Sequence, residues 1–223
     1  MTWTLVVPLK PLSQAKSRLD GGVPEGWRPD LALAFAQDTV GAALSCRRVG
    51  GVVVVTDDAR AGCALSALGA RIVPDAPGPS ADGLNAALAH GARVVRAALP
   101  QAPVAALNAD LPALRAAELD RVLRAAAGAG RAFLADAAGI GTTLLAAGAG
   151  VELAPAFGGP SRARHLASGA RELGLSAVDS VRQDVDTVPD LRAALRLGVG
   201  PHTSGLLAAW CPDPQPPAHT APC

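Results

Sequence analysis

Residues 50–75 read GGVVVVTDDARAGCALSALGARIVPD, and this stretch carries the pattern that decides the fold. It opens with an uninterrupted run of valines, which is typical of a strand buried on both faces. The segment ARAGCALSAL then favours a helix, and ARIVPD favours a short second strand. A strand, a helix and a strand in succession predict a parallel pair of strands joined by a crossover helix.

The same alternation extends to both sides of this unit. Upstream, TWTLVVPL at 2–9 predicts a buried first strand, and Asp30 offers an N-cap for the helix LALAFAQDTVGAAL. Downstream we expect the following elements: a helix over 84–99, a strand ending at Asp110, a helix over 116–127, strands RAFLAD and TTLLAA, a helix over 161–174, an extended segment over 175–180 and a last helix within 181–195. This order predicts one α/β domain over residues 1–210, with a mainly parallel sheet covered by helices on both faces. Ligands of such sheets bind beyond the carboxyl ends of the strands.

The composition disfavours several classes of protein. The chain has 223 residues with 20 basic and 19 acidic side chains, so a net charge of +1 gives no general attraction to nucleic acid or to an acidic membrane. No apolar run approaches the roughly 18 residues of a membrane span, and the first residues lack the pattern of a signal peptide. We therefore expect a cytoplasmic protein with neither nucleic-acid nor membrane partners. The proline-rich residues 211–223, CPDPQPPAHTAPC, predict a disordered tail.

The loop after the first predicted strand carries candidate phosphate ligands. Lys10 and Lys16 are the only lysines in the sequence, and both fall in this loop together with Ser13 and Arg18. A compact ammonium group is a usual partner of phosphate. The glycine-rich P-loop pattern is missing, which disfavours an ATPase of that kind. A solvated basic loop without a ligand is the alternative.

Three carboxylates form a second candidate group. Asp110 lies in LNADLP, and Asp184 and Asp186 lie in RQDVDT, at points where we expect a strand to give way to a turn. Carboxylate oxygens suit magnesium, and two acids spaced two apart share one face of an extended backbone. The alternative is that Asp184 or Asp186 caps the helix that begins near Thr187.

The segments GTTLL and FGGPSRARH form a third candidate group. They place Thr143 in the predicted strand TTLLAA, and Gly158 and Ser161 before and at the start of a predicted helix, where free backbone N–H groups attract anions. An ordinary glycine loop with a serine helix cap is the alternative. His165 is as compatible with packing as with catalysis.

Taken in order, VPLKPLSQAKSRL, GLNAAL, LNADLP, GTT, FGGPS and DVDTVPDL resemble the 2-phospho-L-lactate or phosphoenolpyruvate guanylyltransferase family of coenzyme F(420) biosynthesis. The resemblance implies a three-layer α/β/α sandwich of the nucleotide-diphosphosugar-transferase-like, Rossmann-like type, with a mainly parallel mixed sheet. It also implies the following site: Asp110, Asp184 and Asp186 for Mg²⁺; Thr143, Gly158 and Ser161 for phosphoenolpyruvate; Lys10, Ser13, Lys16, Arg18, Ser80, Gly83 and Asn85 for the nucleotide; and Lys16, Arg18 and Asp110 for catalysis. Gly159 fits the loop assignment as well as Gly158 does.

The reaction implied by the resemblance joins GMP from GTP to the phosphate of phosphoenolpyruvate. It gives enolpyruvyl-2-diphospho-5'-guanosine and diphosphate, and the product is expected to pass to the next enzyme of the pathway. A phosphate monoester is already ionised at neutral pH, so no general base is needed. The same reaction on 2-phospho-L-lactate remains open, although the alanine- and arginine-rich composition favours a GC-rich bacterium and the phosphoenolpyruvate version.

Three other classes of protein are less compatible with the sequence. A molybdenum-cofactor-type nucleotidyltransferase normally opens with a glycine-rich loop, and PLKPLSQAKSRL stands in that place. A nucleotide-binding domain without catalysis would be expected to lack the metal-binding acids, and all three are present. A dinucleotide-dependent dehydrogenase would need a GxGxxG turn after its first strand.

Overall fold

The computed structural model of the chain describes residues 2–19, 23–75 and 83–210. The strands are β1 Trp3–Pro8, β2 Val49–Val55, β3 Arg71–Val73, β4 Val104–Leu107, β5 Arg131–Ala135, β6 Thr142–Ala147 and β7 Arg171–Glu172. The helices are α1 Arg28–Leu44, α2 Ala59–Ala67, α3 Gly83–Ala98, α4 Ala116–Ala126, α5 Ser161–Ala167, α6 Asp179–Arg182, α7 Val188–Leu197 and α8 Pro201–Trp210. Short 3₁₀ turns occupy Leu12–Gln14, Ser17–Leu19 and Glu25–Trp27.

The strands form one mixed sheet in the order β3-β2-β1-β4-β6-β5-β7. Strand β1 pairs in parallel with β2 and β4, and β2 pairs in parallel with β3. Strand β6 is antiparallel to both of its neighbours, β4 and β5. Because β6 runs in the opposite direction, its first residue, Thr142, lies at the same edge as the carboxyl ends of β4 and β5. The predicted mainly parallel sheet is confirmed.

Helices cover both faces of the sheet, as expected for a three-layer sandwich. On β1, Leu5 and Val7 point into a core shared with α1, α2 and α4, whereas Val6 points into a core shared with α3. Helix α3 lies very close to the sheet at Gly91, where an added Cβ would stand 2.5 Å from Cγ1 of Val6. This close contact requires glycine.

Three predictions of local structure, one near the start of the chain and two in its second half, are wrong. Helix α1 begins at Arg28, so Asp30 lies inside its first turn and pairs with Arg60 at 2.7 Å instead of capping the helix. Helix α5 ends at Ala167 instead of reaching 174. Gly169, with φ +80°, reverses the chain there, and β7 then adds to the sheet beside β5. Residues 175–180 form no strand; their end begins the short helix α6.

Helix α8 was not predicted, and a buried acid of α1 holds it in place. The Asp38 carboxylate accepts hydrogen bonds from the backbone N–H groups of His202 (3.0 Å) and Thr203 (2.9 Å). A Cβ at Gly200 would stand 2.4 Å from this carboxylate, so the chain needs glycine to pass it. Asp38 of α1 therefore caps α8, a helix that is distant in sequence but adjacent in space.

Within the described ranges, no helix is both long and apolar enough to traverse a bilayer. The predicted disordered tail, residues 211–223, lies outside those ranges, and so does Ser80.

Candidate active site

A cleft of about 660 Å³ opens at the edge of the sheet where β1 and β4 end. This volume is in the range of small-molecule sites. Segments that follow four strands and the loop before α7 line the cleft, and the lining includes Pro8–Lys10, Lys16, Arg18, Asn108–Asp110, Asp136, Ile140–Thr142, Phe157–Gly159, Ser161, Asp184 and Asp186. All three groups of candidate residues therefore contribute side chains to one cavity.

The structure brings Asp110, Asp184 and Asp186 into this cleft from two loops. The N–H of Val185 donates to the Asp110 carbonyl at 3.1 Å, and this bond holds the loops together. Val185 is fully buried, which leaves the acids on either side of it facing the cleft. The expected two-residue spacing is present, although the segment follows helix α6 and not a strand.

The alternative role of these acids as helix caps is wrong. Thr187 itself caps α7, and it forms a capping box with Asp190. Asp184 and Asp186 are therefore not used as caps.

Asp136 is a fourth acid in the cleft, and the sequence analysis missed it. Its carboxylate accepts hydrogen bonds from the N–H groups of Ile140 (2.9 Å) and Gly141 (2.8 Å), which shapes the turn between β5 and β6. A signal existed, because RAFLAD ends a predicted strand with an acid just as LNAD does.

The acids repel one another. Burial, together with repulsion from Asp110, Asp186 and Asp136, raises the pKa of Asp184 to about 8. Asn108 lies beside it, with its Nδ2 3.4 Å from an oxygen of Asp184. A group with this pKa is largely protonated at neutral pH unless a cation joins it.

Lys16 balances part of this negative charge. Its ammonium donates to Asp110 Oδ2 and, at 3.3 Å, to Asp186 Oδ1, while Arg18 lies 3.7 Å from the other oxygen of Asp186. Burial by itself would lower the pKa of Lys16, but the attraction of Asp110 and Asp186 outweighs it and raises that pKa above its usual value. The backbone of Lys16 has φ +59°, which is uncommon for a residue with a side chain.

The carboxylates fit a divalent cation that is shared with a substrate. Across the described part of the chain, no three His, Cys, Asp or Glu side chains enclose a metal position by themselves. However, Oδ1 of Asp110 is buried without a hydrogen-bond partner among the described residues, and a cation would relieve both this oxygen and the repulsion at Asp184. Magnesium commonly binds one or two protein carboxylates and completes its shell with water and substrate phosphates.

Only some of the residues predicted to bind the nucleotide line the cleft. Lys10 lines the cleft, together with Lys16 and Arg18. Ser13 is exposed on the first 3₁₀ turn and does not line the cleft, and Gly83 starts α3 one residue before Leu84, which does line it.

Asn85, which the resemblance assigns to the nucleotide, contacts protein backbone in this structure. Its amide is buried and faces the protein interior, where Oδ1 accepts from the Phe157 N–H (2.7 Å) and Nδ2 donates to the Phe157 carbonyl (3.1 Å). Both ends of the amide therefore bind the backbone of Phe157, which lines the cleft.

The residues predicted to bind the acid are partly brought together. Gly158 and Ser161 line the cleft, and so does Gly159. Thr143 does not: its side chain is fully buried, and its hydroxyl has no hydrogen-bond partner among the described residues. The preceding Thr142 lines the cleft in its place.

His165 is a buried packing residue next to this loop. Nε2 accepts from the Ala156 N–H at 3.1 Å, so the ring proton is on Nδ1, which donates to Thr142 Oγ1 at 2.9 Å. Burial, with the nearby charges of Arg131 and Arg164, lowers the pKa of His165 to about 4. The ring is therefore neutral at physiological pH and has no nitrogen free for proton transfer.

Known proteins resemble this chain over most of its length. A family model described as guanylyl transferase CofC like matches residues 3–210. The phosphoenolpyruvate guanylyltransferase of Streptomyces coelicolor is 70% identical over 208 residues, which cover 93% of this chain and 97% of that protein.

Solved structures resemble the fold. A putative nucleotide-diphospho-sugar transferase from Desulfovibrio desulfuricans G20 aligns with a TM-score of 0.66 at 16% identity, covering 94% of this chain and 95% of that one. Rv0371C from Mycobacterium tuberculosis H37Rv, solved as a complex with manganese, aligns with a TM-score of 0.50 at 22% identity, covering 87% and 99%. These structures show the expected nucleotide-diphosphosugar-transferase-like fold, and the match of residues 3–210 together with the 70% identity shows that the chain belongs to the CofC-like guanylyl transferase family.

Proposed function

We propose that this protein is a phosphoenolpyruvate guanylyltransferase that transfers GMP from GTP to the phosphate of phosphoenolpyruvate and releases diphosphate. The observation that carries the proposal is that three groups of residues line one cleft. They are the cationic loop with Lys10, Lys16 and Arg18, the carboxylates Asp110, Asp184 and Asp186, and the glycine loop with Gly158, Gly159 and Ser161. The 70% identity to an enzyme of that name supports the choice of acid.

The cationic loop is assigned to GTP. Two polyanions must meet in this reaction, and each pair of like charges about 4 Å apart costs roughly 4 kcal/mol at an effective dielectric of 20. Lys10, Lys16 and Arg18 line the cleft and supply positive charge against this repulsion. The Lys16 ammonium neutralises two carboxylates in the metal-free protein, and once released from them it is free to face the departing diphosphate.

Asp110, Asp184 and Asp186 are assigned to a divalent cation, which we take to be Mg²⁺. When bound, such an ion offsets phosphate charge and polarises the α-phosphate for attack. Asn108 supports Asp184 from the end of β4, and the Val185 backbone bond keeps the two acidic loops in register. The manganese complex of a protein with this fold is consistent with the use of a divalent ion.

The glycine loop is assigned to the phosphorylated acid. Gly158, Gly159 and Ser161 line the cleft, and an added Cβ at either glycine would meet nothing within 4 Å, so there is open space beside both glycines for an anion. Thr143 is retained as a predicted contact, although substrate would reach it only if its buried hydroxyl moved. The attacking phosphate oxygen is already ionised, so the neutral, fully engaged His165 is not needed as a base.

Under this proposal GTP and phosphoenolpyruvate are the partners in solution, the enzyme works in the cytoplasm, and its diphosphate-linked product is handed to the next enzyme of the pathway.

The test is incubation of the purified protein with GTP and Mg²⁺ plus either phosphoenolpyruvate or 2-phospho-L-lactate, with diphosphate release measured. We expect release with phosphoenolpyruvate and none from the Asp110→Asn control. Diphosphate release with 2-phospho-L-lactate and not with phosphoenolpyruvate would make 2-phospho-L-lactate the substrate. If neither acid gave diphosphate release, the proposed function would be rejected.

A further inference from the structure

Residues 156–159 include both glycines of the glycine loop, and we call this segment the acid loop because it is assigned to the phosphorylated acid. Few sequences can adopt its backbone conformation. Gly158 and Gly159 have φ values of +91° and +44°. An added Cβ would meet nothing within 4 Å at either position, so backbone conformation and not crowding calls for glycine. A loop with two such residues has many alternative conformations and needs external contacts to hold one of them.

Helix α3 supplies the first of these contacts. The buried Asn85 amide pairs with Phe157 as a second backbone would, accepting from its N–H and donating to its carbonyl. One side chain therefore fixes both polar groups of the residue directly before the glycines.

Helix α5 supplies two further residues that hold the loop, His165 and Arg164. His165 accepts from the Ala156 N–H, and its ring stacks edge-on against Phe157 with centroids 5.2 Å apart. The Arg164 guanidinium donates to the carbonyls of Ala156 (3.1 Å), Phe157 (3.2 Å) and Gly158. All backbone polar groups of Ala156 and Phe157 are thus bound by side chains.

We infer that Asn85, His165 and Arg164 are positioning residues that hold the acid loop in its substrate-binding conformation before the acid arrives. The inference rests on the proposed function, because it takes the acid loop to bind the phosphorylated acid. None of the three needs to touch substrate: each acts through the backbone of residues 156–158. A loop ordered in advance binds more tightly, since binding does not have to order it.

Loss of any of these contacts should weaken the binding of the phosphorylated acid and not that of GTP. If loss of a contact leaves the loop in its binding conformation for only a fraction of the time, the apparent affinity for the acid falls by that fraction. The cationic loop and the carboxylates Asp110, Asp184 and Asp186 lie on other elements, so GTP binding should be unaffected. Loss of a buried hydrogen-bond partner corresponds to a roughly 10- to 100-fold effect.

The experiment compares four variants with wild type. Asn85→Leu removes both contacts to Phe157, and His165→Phe keeps a ring but removes the acceptor for Ala156. Arg164→Met changes an exposed side chain and is the variant least able to disturb folding. Leu166→Ala, on the same helix and 46% exposed, is the matched control.

Two measurements are made on each protein. The first is steady-state diphosphate release, with KM determined separately for phosphoenolpyruvate and for GTP. The second is amide hydrogen exchange of residues 156–158 in the absence of substrate. We expect Asn85→Leu and His165→Phe to raise the KM for phosphoenolpyruvate roughly 10- to 100-fold, and Arg164→Met, whose hydrogen bonds are more exposed, to raise it by a smaller factor. All three should leave the KM for GTP within about two-fold and speed exchange at residues 156–158, with Leu166→Ala like wild type.

Other results overturn the inference. Equal increases in both KM values would indicate general damage to the fold, and unchanged exchange at residues 156–158 in Asn85→Leu and Arg164→Met would show that these contacts do not order the loop. Absence of diphosphate release from wild type would reject the proposed function instead. The exchange measurement uses no substrate, so the two failures can be told apart.

Discussion

Asp184→Asn should make the metal-free protein more stable while it abolishes turnover. The folded-state pKa of Asp184 is raised from 3.8 to about 8, first by burial and then by repulsion from Asp110, Asp186 and Asp136. In the unfolded chain the carboxyl ionises near its ordinary pKa. Folding at neutral pH therefore requires this group either to take up a proton or to carry an unfavourable charge, and asparagine requires neither.

The magnitude and its sign follow from the two pKa values. Because the folded-state pKa lies above the unfolded one, Asp184 costs nothing below pH 3.8, and the cost grows with pH until about pH 8. At 1.36 kcal/mol per pH unit the difference reaches about 4 kcal/mol at pH 7, and solvent screening in an open cleft reduces it to roughly 2–4 kcal/mol. The gain from Asp184→Asn should therefore be near zero at pH 4 and largest at pH 7–8.

Urea unfolding in EDTA at several pH values between 4 and 8 measures this difference directly. Asp179→Asn, an exposed acid five residues earlier in the chain, is the control and should show no comparable dependence on pH. If Asp184→Asn were no more stable than wild type at pH 7.5, the repulsion among the cleft acids would be much weaker than inferred here.

Four further predictions concern the other parts of the site. Asp110→Asn and Asp186→Asn should each lower turnover by orders of magnitude with an intact fold, and rates like wild type at limiting Mg²⁺ would remove them from the metal site. Lys16→Ala should weaken GTP binding and turnover yet strengthen Mn²⁺ binding without nucleotide, measured by electron paramagnetic resonance, because it removes a competing cation from Asp110 and Asp186; weaker Mn²⁺ binding would contradict this. Gly158→Val should raise the KM for phosphoenolpyruvate or abolish its use while calorimetric GTP affinity stays within a few-fold, and the opposite pattern would exchange the two subsites. Removal of 211–223 should leave activity and melting temperature nearly unchanged, since this sequence offers few apolar groups to bury, and a large drop in melting temperature would show that it contributes to the core.

The sequence predicted the strands best where one signal was strong and local. The valine run at 52–55 is buried on both faces, as such runs are in parallel sheets, and β2 lies where it was expected. The acids of LNADLP and DVD were also placed correctly in one cavity, because the loops that follow strands meet at one edge of a sheet. Here DVD reaches that edge from a helix, which the two-residue pattern by itself could not indicate.

The direction of individual side chains was harder to predict. Asn85 and Thr143 lie in the expected segments, but tertiary contacts turn their side chains toward the interior. Helix α8 was missed because its sequence, PHTSGLLAAW, has little amphipathic character, although Pro201 at its first position is a typical start signal. It is held by tertiary contacts: Asp38, which is far away in sequence, caps it, and Leu206 and Leu207 pack against the core cluster that includes Phe35.

The contact between Asp38 and the start of α8 also has a consequence for how the protein is made. The carboxylate of Asp38 accepts from residues that lie 164 and 165 positions further along the chain. At a synthesis rate of about 5–20 residues per second, roughly 10–30 seconds pass between the emergence of α1 and that of its last partner. During that time the nascent chain holds a carboxylate in a largely apolar helix without its native partners. This side of the molecule therefore cannot be completed before residues 202 and 203 have been synthesised, and until then aggregation or chaperone binding competes with folding.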